Sequence, residues 1–149
     1  MFEPIFPILL MIATLLCSLA AGLVFTFAIV TMPGIKSLND REFIRAFQVM
    51  DGIIQNGQPL FMLVWLGSIL ALIASAVVGF GQIDTIPRLL LIGATILYLF
   101  GMQLPTVSIN VPLNNQLQTL NVDTMNEHEL KRARLDFEPR WNQWNSFRT

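Results

Sequence analysis

Three apolar stretches without a charged residue dominate this chain and restrict what it can fold into. They cover residues 5–32, 60–81 and 89–109, which is 28, 22 and 21 residues. A helix needs roughly 20 apolar residues to cross a bilayer, so each stretch is long enough. Charged residues make up 13% of the chain, against about 25% in an average soluble domain. The sequence therefore predicts an all-α fold: an integral membrane helical bundle with three transmembrane helices in this chain.

One membrane domain is expected over residues 1–149, because this length suits a single domain. In order, we expect a transmembrane helix at about 5–32, an interfacial helix at about 40–55, transmembrane helices at about 60–81 and 88–109, and a polar tail with a Trp-rich helix at 124–149. The second transmembrane helix carries a small residue at every fourth position, namely Gly67, Ala71, Ser75 and Gly79. Small residues at this spacing let helix backbones approach closely, so we expect a packing seam there.

Two segments outside these helices have apolar residues at helical spacing. In residues 40–55 the apolar positions are Phe43, Phe47, Met50 and Ile54, and the helix is preceded by a capping residue, Asn39. In the tail, Phe137, Trp141, Trp144 and Arg148 follow one another at spacings of four, three and four. We expect both segments to form amphipathic helices on the cytoplasmic side, the first lying on the membrane surface.

The positive charges are distributed unevenly between the two sides of the membrane. Eight of the nine Lys and Arg residues fall in the first loop or in the tail, and only Arg88 lies in the second loop. Because positive loops stay inside, we expect the first loop and the tail in the cytoplasm and the N-terminus outside. The predicted location is a bacterial cytoplasmic membrane, as a multi-pass protein. The net charge of −1 and the absence of a basic block give no indication of a nucleic-acid partner.

The chemistry available to this chain is limited. It has one histidine, His128, and one cysteine, Cys17, which is too few for a typical haem, zinc or copper site within one chain, so we expect no metal. What remains is a group of hydrogen-bond donors at the cytoplasmic ends of the helices: Asn110, Asn114, Asn115, Trp141, Asn145 and Arg148. Two interpretations stay open. These residues either cap the third transmembrane helix and attach the tail, or line a pocket that stabilises an anionic oxygen.

Four segments resemble a known family in their sequence and order. They are MPG after the first apolar stretch, FQVMDGIIQNGQPLF from Phe47, NVPLNNQL from Asn110 and RWNQWNSFR from Arg140. Together they resemble the family of small membrane proteins that includes the fungal anthrone oxygenases, and the resemblance covers nearly the whole chain. It implies a helical membrane bundle, usually with four spans. It also implies oxidation of an anthrone to an anthraquinone by molecular oxygen, without a metal or another cofactor.

The resemblance implies roles for particular residues of this chain. The catalytic candidates are Asn110, Asn114, Asn115, Trp141, Asn145, Arg148 and His128, and the candidates for binding a lipophilic aromatic substrate are Trp144, Asp51, Gln55 and Asn56. The general base is His128, Asp51 or Asp123, and the sequence does not choose among them. The alternative function is a non-catalytic one, either a membrane assembly subunit or a protein that binds a small lipophile.

The chain departs from the family pattern at its end. In the family, the tryptophan segment leads into a fourth hydrophobic helix, whereas this chain ends at Thr149, directly after Arg148. We therefore expect either a three-span variant or a trimmed chain. Besides the lipid membrane, the expected partners are another copy of the chain in a homo-oligomer, or a partner helix in place of the missing fourth span.

Overall fold

Five helices joined by short turns form residues 5–149, the part of the chain that this computed structural model describes. They are α1 (Ile5–Ile35), α2 (Asp40–Gln55), α3 (Pro59–Gly79), α4 (Thr85–Gln118) and α5 (Glu127–Arg148). No β-strand occurs within these residues. Three of the helices, α1, α3 and α4, are long and apolar enough to cross a membrane. The prediction of an all-α membrane bundle with three spans is therefore confirmed.

The helices α1 and α3 pack against each other along much of their length. On the small-residue side of α3, Ala71, Ser75 and Gly79 are buried, and the ring of Phe6 lies directly over Gly79. A Cβ atom on Gly67 would lie 3.1 Å from the Leu16 side chain. The small residues therefore do form a close seam between α1 and α3, while the apolar side chains on the other faces point outward, as lipid-facing residues do.

The helix α4 continues beyond the point where the sequence predicted its end. It was expected to stop near Ile109, at the asparagines around Pro112, but the helix runs to Gln118. Proline lacks an N–H and its ring displaces the carbonyl four residues earlier. Wide π-helical turns over Leu97–Gln103 and Thr106–Asn110 precede Pro105 and Pro112 and absorb this mismatch.

The helix α1 also continues past a proline, because a π-helical turn over Phe27–Thr31 precedes Pro33. The helix therefore ends at Ile35 and not at Met32, where the proline and the following glycine were expected to break it. In both helices the helical backbone continues past a proline, so the residues on either side of that proline belong to one continuous helix.

A second core lies at one end of the bundle, between α2, α5 and the last turns of α1 and α4. Its buried side chains are Met32, Phe43, Ile44, Phe47, Leu113, Leu117, Val122, Leu130, Phe137 and Trp141. The Arg134 guanidinium of α5 donates to the carbonyl oxygens of Lys36 and Leu38 at 2.8 and 2.9 Å. The Phe43 and Phe47 side of α2, expected on the membrane surface, therefore packs on protein instead.

Candidate functional site

A cavity of about 260 Å³ lies where the three spans meet α2 and α5. Pockets for small molecules typically measure about 300–1,000 Å³, so this cavity suits a small, compact ligand. Its apolar wall is made by Leu23, Val24, Phe27, Phe47, Ile54, Phe61, Trp65, Val107 and Val111. Its polar wall is made by Asp51, Gln55, Thr106, Asn110, Asn114, Asn115, Trp141 and Arg148. One side of the cavity is thus as apolar as a membrane interior, and the other carries amides and two charged groups.

A carboxylate, Asp51, belongs to the polar wall and is only 4% exposed. Asn114 Nδ2 donates to its Oδ1 at 2.7 Å, and Gln55 and Gln118 donate to its Oδ2 at 2.6 and 2.9 Å. Within residues 5–149, no Lys, Arg or His forms an ion pair with it. Asp51 therefore places a carboxyl group beside the cavity whose oxygens, among the described residues, accept hydrogen bonds from amides alone.

Asn114 is held on both sides and in turn fixes the orientation of Asp51. Its Oδ1 accepts a hydrogen bond from the Trp141 indole at 2.8 Å, while its Nδ2 donates to Asp51. The Trp141 ring packs edge-on against Phe47, with 5.4 Å between ring centroids. Asn110, which is 1% exposed, donates to the Trp141 carbonyl oxygen at 3.3 Å. The asparagines of the NVPLNNQL segment therefore join α4 to both α2 and α5.

The cation of the polar wall is Arg148, close to the end of α5. Its Nε and Nη2 donate to Asn145 Oδ1 at 3.2 and 2.9 Å, and its Nη1 donates to Thr106 Oγ1 at 2.7 Å. Among the residues that the structure describes, no carboxylate lies within ion-pair distance of it. Burial lowers the pKa of Arg148 to about 10, so the side chain remains a cation at neutral pH. A partly buried cation with no acidic partner among the described residues favours an anionic or strongly polarised oxygen in the cavity.

Seven of the predicted site residues line this cavity: Asp51, Gln55, Asn110, Asn114, Asn115, Trp141 and Arg148. An eighth, Asn145, is 1% exposed and lies behind Arg148, where it donates to the Val24 carbonyl oxygen at 3.3 Å. It therefore holds Arg148 and fixes the end of α5 against α1.

Three predicted residues lie away from the cavity. Trp144 is partly buried and packs against Phe147, with 5.5 Å between ring centroids, but it does not line the cavity. The buried face of α5 instead follows every fourth residue through Phe137, Trp141 and Asn145, which leaves Trp144 to one side. His128 is exposed in the first turn of α5, and Asn56 is exposed at the end of α2. Their predicted roles in binding or catalysis find no support in this geometry.

Of the three candidate bases, only Asp51 lines the cavity. Asp123 is exposed and forms an ion pair with Arg45 on the outer surface. His128 is exposed as well. In this structure, neither Asp123 nor His128 is therefore in a position to take a proton from a ligand in the cavity.

Sequence reasoning missed the aromatic wall opposite the carboxylate. Phe61 and Trp65 of α3 stack on each other, with ring centroids 5.4 Å apart and 15° between the ring planes, and both line the cavity. A signal was present, because Trp65 lies six residues inside a span, deeper than the usual interfacial belt. Gln118 was also missed, although it follows Asn114 by one helical turn and bonds the same carboxylate.

Comparison with known proteins adds one finding to this geometry. The family model described as anthrone oxygenase matches residues 50–149, two thirds of the chain, from the end of α2 through α5. The chain belongs to the anthrone oxygenase family. The match contains every polar residue of the cavity wall, whereas α1, which supplies part of the apolar wall, lies outside it. No curated protein and no solved structure matches the chain.

Proposed function

We propose that this protein is a membrane-bound oxygenase that needs no cofactor and oxidises a lipophilic phenolic or anthrone-like aromatic. The observation that carries the proposal is that a carboxylate, Asp51, and a cation, Arg148, lie on the wall of one mostly apolar cavity, and that none of the described carboxylates pairs with Arg148. A base and a cation are what a reaction through a stabilised carbanion requires. Membership of the anthrone oxygenase family supports the same class of reaction.

The proposed reaction uses molecular oxygen as the oxidant. Asp51 removes a proton from the methylene carbon of the anthrone, and the electron pair delocalises onto the ring oxygen as an enolate. Transfer of one electron to oxygen and recombination of the two radicals form a C–O bond, and the proton returns from Asp51 to give a hydroperoxide. Asp51 then takes the second methylene proton, the O–O bond breaks, and water leaves with that proton. Two C–H bonds are thus replaced by one C=O bond, and one oxygen atom becomes water.

The residues of the cavity take different parts in this reaction. Arg148 stabilises the enolate oxygen, since charge that develops near a desolvated cation is strongly favoured. Phe61, Trp65 and Trp141 provide flat surfaces for the aromatic rings of the substrate. Asn114 is a positioning residue, because it orients Asp51 and both of its polar atoms are already bonded within the protein.

We further propose that the cavity lies at the cytoplasmic end of the bundle. Most Lys and Arg residues lie in the first loop and the tail, which favours a cytoplasmic position for these two segments. The segments form α2 and α5, and both of these helices line the cavity. A lipid bilayer would then surround the apolar side of the site, while the polar side faces the cytoplasm.

A non-catalytic lipophile-binding protein is the second candidate. It is favoured by the hydrogen bonds of Asn110, Asn114 and Asn145, each of which already donates to a protein atom. In that case the same cavity would hold a ligand without changing it.

The deciding experiment follows the formation of quinone from anthrone by absorbance, with the purified protein in detergent or nanodiscs. We expect turnover above the spontaneous rate, consumption of oxygen, and no loss of activity after treatment with a chelator. Asp51→Asn should reduce turnover by about 10²–10⁴-fold, the usual contribution of a general base, while binding of anthraquinone remains. Asp123→Asn is the matched control, because this carboxylate lies on the outer surface.

The outcomes separate the two candidates. Saturable binding of anthraquinone with no turnover across several anthrones would leave only the lipophile-binding function. Equal turnover by wild type and Asp51→Asn would refute the assignment of the base.

A further inference from the structure

The two spans α3 and α4 do not stay together along their whole length. They pack against each other near the loop that connects Gly79 to Thr85. Farther from that loop, a hydrogen bond of 2.7 Å joins the Ser68 and Tyr98 hydroxyl groups. Beyond this level the first turns of α3 and the last turns of α4 are separated, and the cavity fills the space between them.

The rim of the cavity between these helices is apolar and reaches the outer surface. On α4 it is formed by Val107 and Val111, which are 63% and 39% exposed although they line the cavity. On α3 it is formed by Phe61 and Trp65, which are partly exposed. Trp65 lies six residues from Pro59, which is roughly 9 Å along the helix axis. Trp65 and Val107 of this rim therefore lie within the apolar stretches 60–81 and 89–109, which are long enough to cross the hydrocarbon layer of a membrane.

The side of the cavity that faces α2 is closed by polar contacts. Gln55 Nε2 donates to Asn115 Oδ1 at 3.2 Å and to Asp51 Oδ2 at 2.6 Å, which joins α2 to α4. Gln55 and Asn115 are both exposed on their outer side. A ligand coming from water would have to break these hydrogen bonds, whereas one coming from the lipid would meet only hydrocarbon and aromatic rings.

We propose that the cavity takes up and releases its ligand through this lateral opening, directly from the hydrocarbon layer of the membrane. The opening is defined by Phe61, Trp65, Val107 and Val111. The ligand is a flat aromatic molecule dissolved in the bilayer, which passes edge-on between α3 and α4 and then lies against the stacked rings of Phe61 and Trp65. The class of ligand rests on the proposed function, but the route follows from the position of the opening.

The test narrows the opening and measures how fast a ligand binds. Anthraquinone, which cannot be oxidised further in the proposed reaction, is the probe, and it is delivered in lipid vesicles mixed rapidly with the protein in nanodiscs. The variant is Val107→Phe with Val111→Phe. The matched control is Val77→Phe with Val30→Phe. These two valines also lie in the spans and are 70% and 60% exposed, but they do not line the cavity.

We expect the rim variant to bind the probe on the order of tenfold more slowly than the control, because a narrowed access route lowers the association rate. The dissociation rate should fall with it, since both processes use the same opening. Association at the control's rate, with binding still saturable, would overturn the lateral route and leave the proposed function standing. An absence of saturable binding by the wild-type protein would instead overturn the proposed function. Circular dichroism detects whether the rim variant has failed to fold. In that case Val107→Leu narrows the opening less severely, and its association rate is compared with that of the control in the same way.

Discussion

Replacing Arg148 by methionine separates a role in binding an anion from a role in holding the fold. Burial lowers the pKa of this side chain to about 10, which corresponds to a cost of about 3 kcal/mol for keeping it charged in the folded protein. Because the folded state favours the neutral form, this cost is fully present below about pH 10 and is relieved only as the pH rises above that value. At neutral pH the methionine variant recovers it completely.

The opposing effect comes from the partners of Arg148. Asn145 Oδ1, in a residue that is 1% exposed, loses both of its donors, which costs about 1–3 kcal/mol. Thr106 keeps the hydrogen bond that its hydroxyl donates to the Met102 carbonyl oxygen at 2.7 Å. The two effects nearly cancel, so we expect Arg148→Met to change the free energy of unfolding by less than about 2 kcal/mol.

Binding should respond quite differently from stability. A hydrogen bond to a charged group contributes roughly 1.5–3 kcal/mol, so an ionised ligand should bind about 10- to 100-fold more weakly to the variant. The assay compares 2-hydroxyanthraquinone in its ionised form with neutral anthraquinone, for which we expect little change. Unfolding is followed by circular dichroism in mixed detergent micelles, and Arg140→Met, at an exposed position of the same helix, is the control. A loss of stability above about 3 kcal/mol, with both ligands weakened equally, would refute the reasoning and make Arg148 a structural residue.

Three further predictions concern the packing of α3 and the contacts that hold α5. Gly79→Leu should destabilise the protein by about 1–3 kcal/mol because Phe6 occupies the space that the new side chain needs, while Gly93→Leu, with open space at its Cβ position, should have little effect on thermal unfolding in detergent. Trp141→Phe keeps an aromatic ring but removes the donor to Asn114, and we expect slower turnover with retained anthraquinone binding, measured by absorbance and by equilibrium titration. Asn126→Ala removes the capping box of α5 and should cost about 1 kcal/mol, with Asn121→Ala in the preceding loop as the comparison in chemical denaturation.

Long apolar runs and small-residue spacing were sufficient to predict the spans and the seam. Both features act locally, because a helix of about 20 apolar residues is stable in a bilayer whatever its neighbours are. The end of α4 was not predictable in the same way. Pro112 normally ends a helix, and only the wide turn over Thr106–Asn110 lets the backbone continue to Gln118.

The candidate site was predictable as a set of residue types and not as an arrangement. Asn110 and Asn114 are one helical turn apart, so their shared face followed from the sequence once the helix continued. The partner of Asn114 did not follow, because Asp51 is 63 positions away and comes from a different helix. The sequence offered three bases of equal standing, and only the packing of α2 against α4 distinguishes Asp51 from Asp123 and His128.

The two interpretations of the NVPLNNQL segment, attachment of the tail and formation of a pocket, are not alternatives in this fold. The amide of Asn114 cannot hold Trp141 without also presenting its Nδ2 to Asp51, since a single planar group makes both hydrogen bonds. Attaching α5 to α4 therefore fixes the carboxylate in the cavity wall. The same holds at the end of α5, where Asn145 fixes the helix to α1 and also accepts two hydrogen bonds from Arg148. The amides of Asn114 and Asn145 are occupied by these contacts, so the polar groups that remain for a ligand include the carboxylate of Asp51, the guanidinium of Arg148 and Asn110 Oδ1, which has no hydrogen-bond partner among the described residues. A substitution of Asn114 or Asn145 should thus change stability and ligand chemistry together, whereas Arg148→Met should change the chemistry with a much smaller effect on the fold.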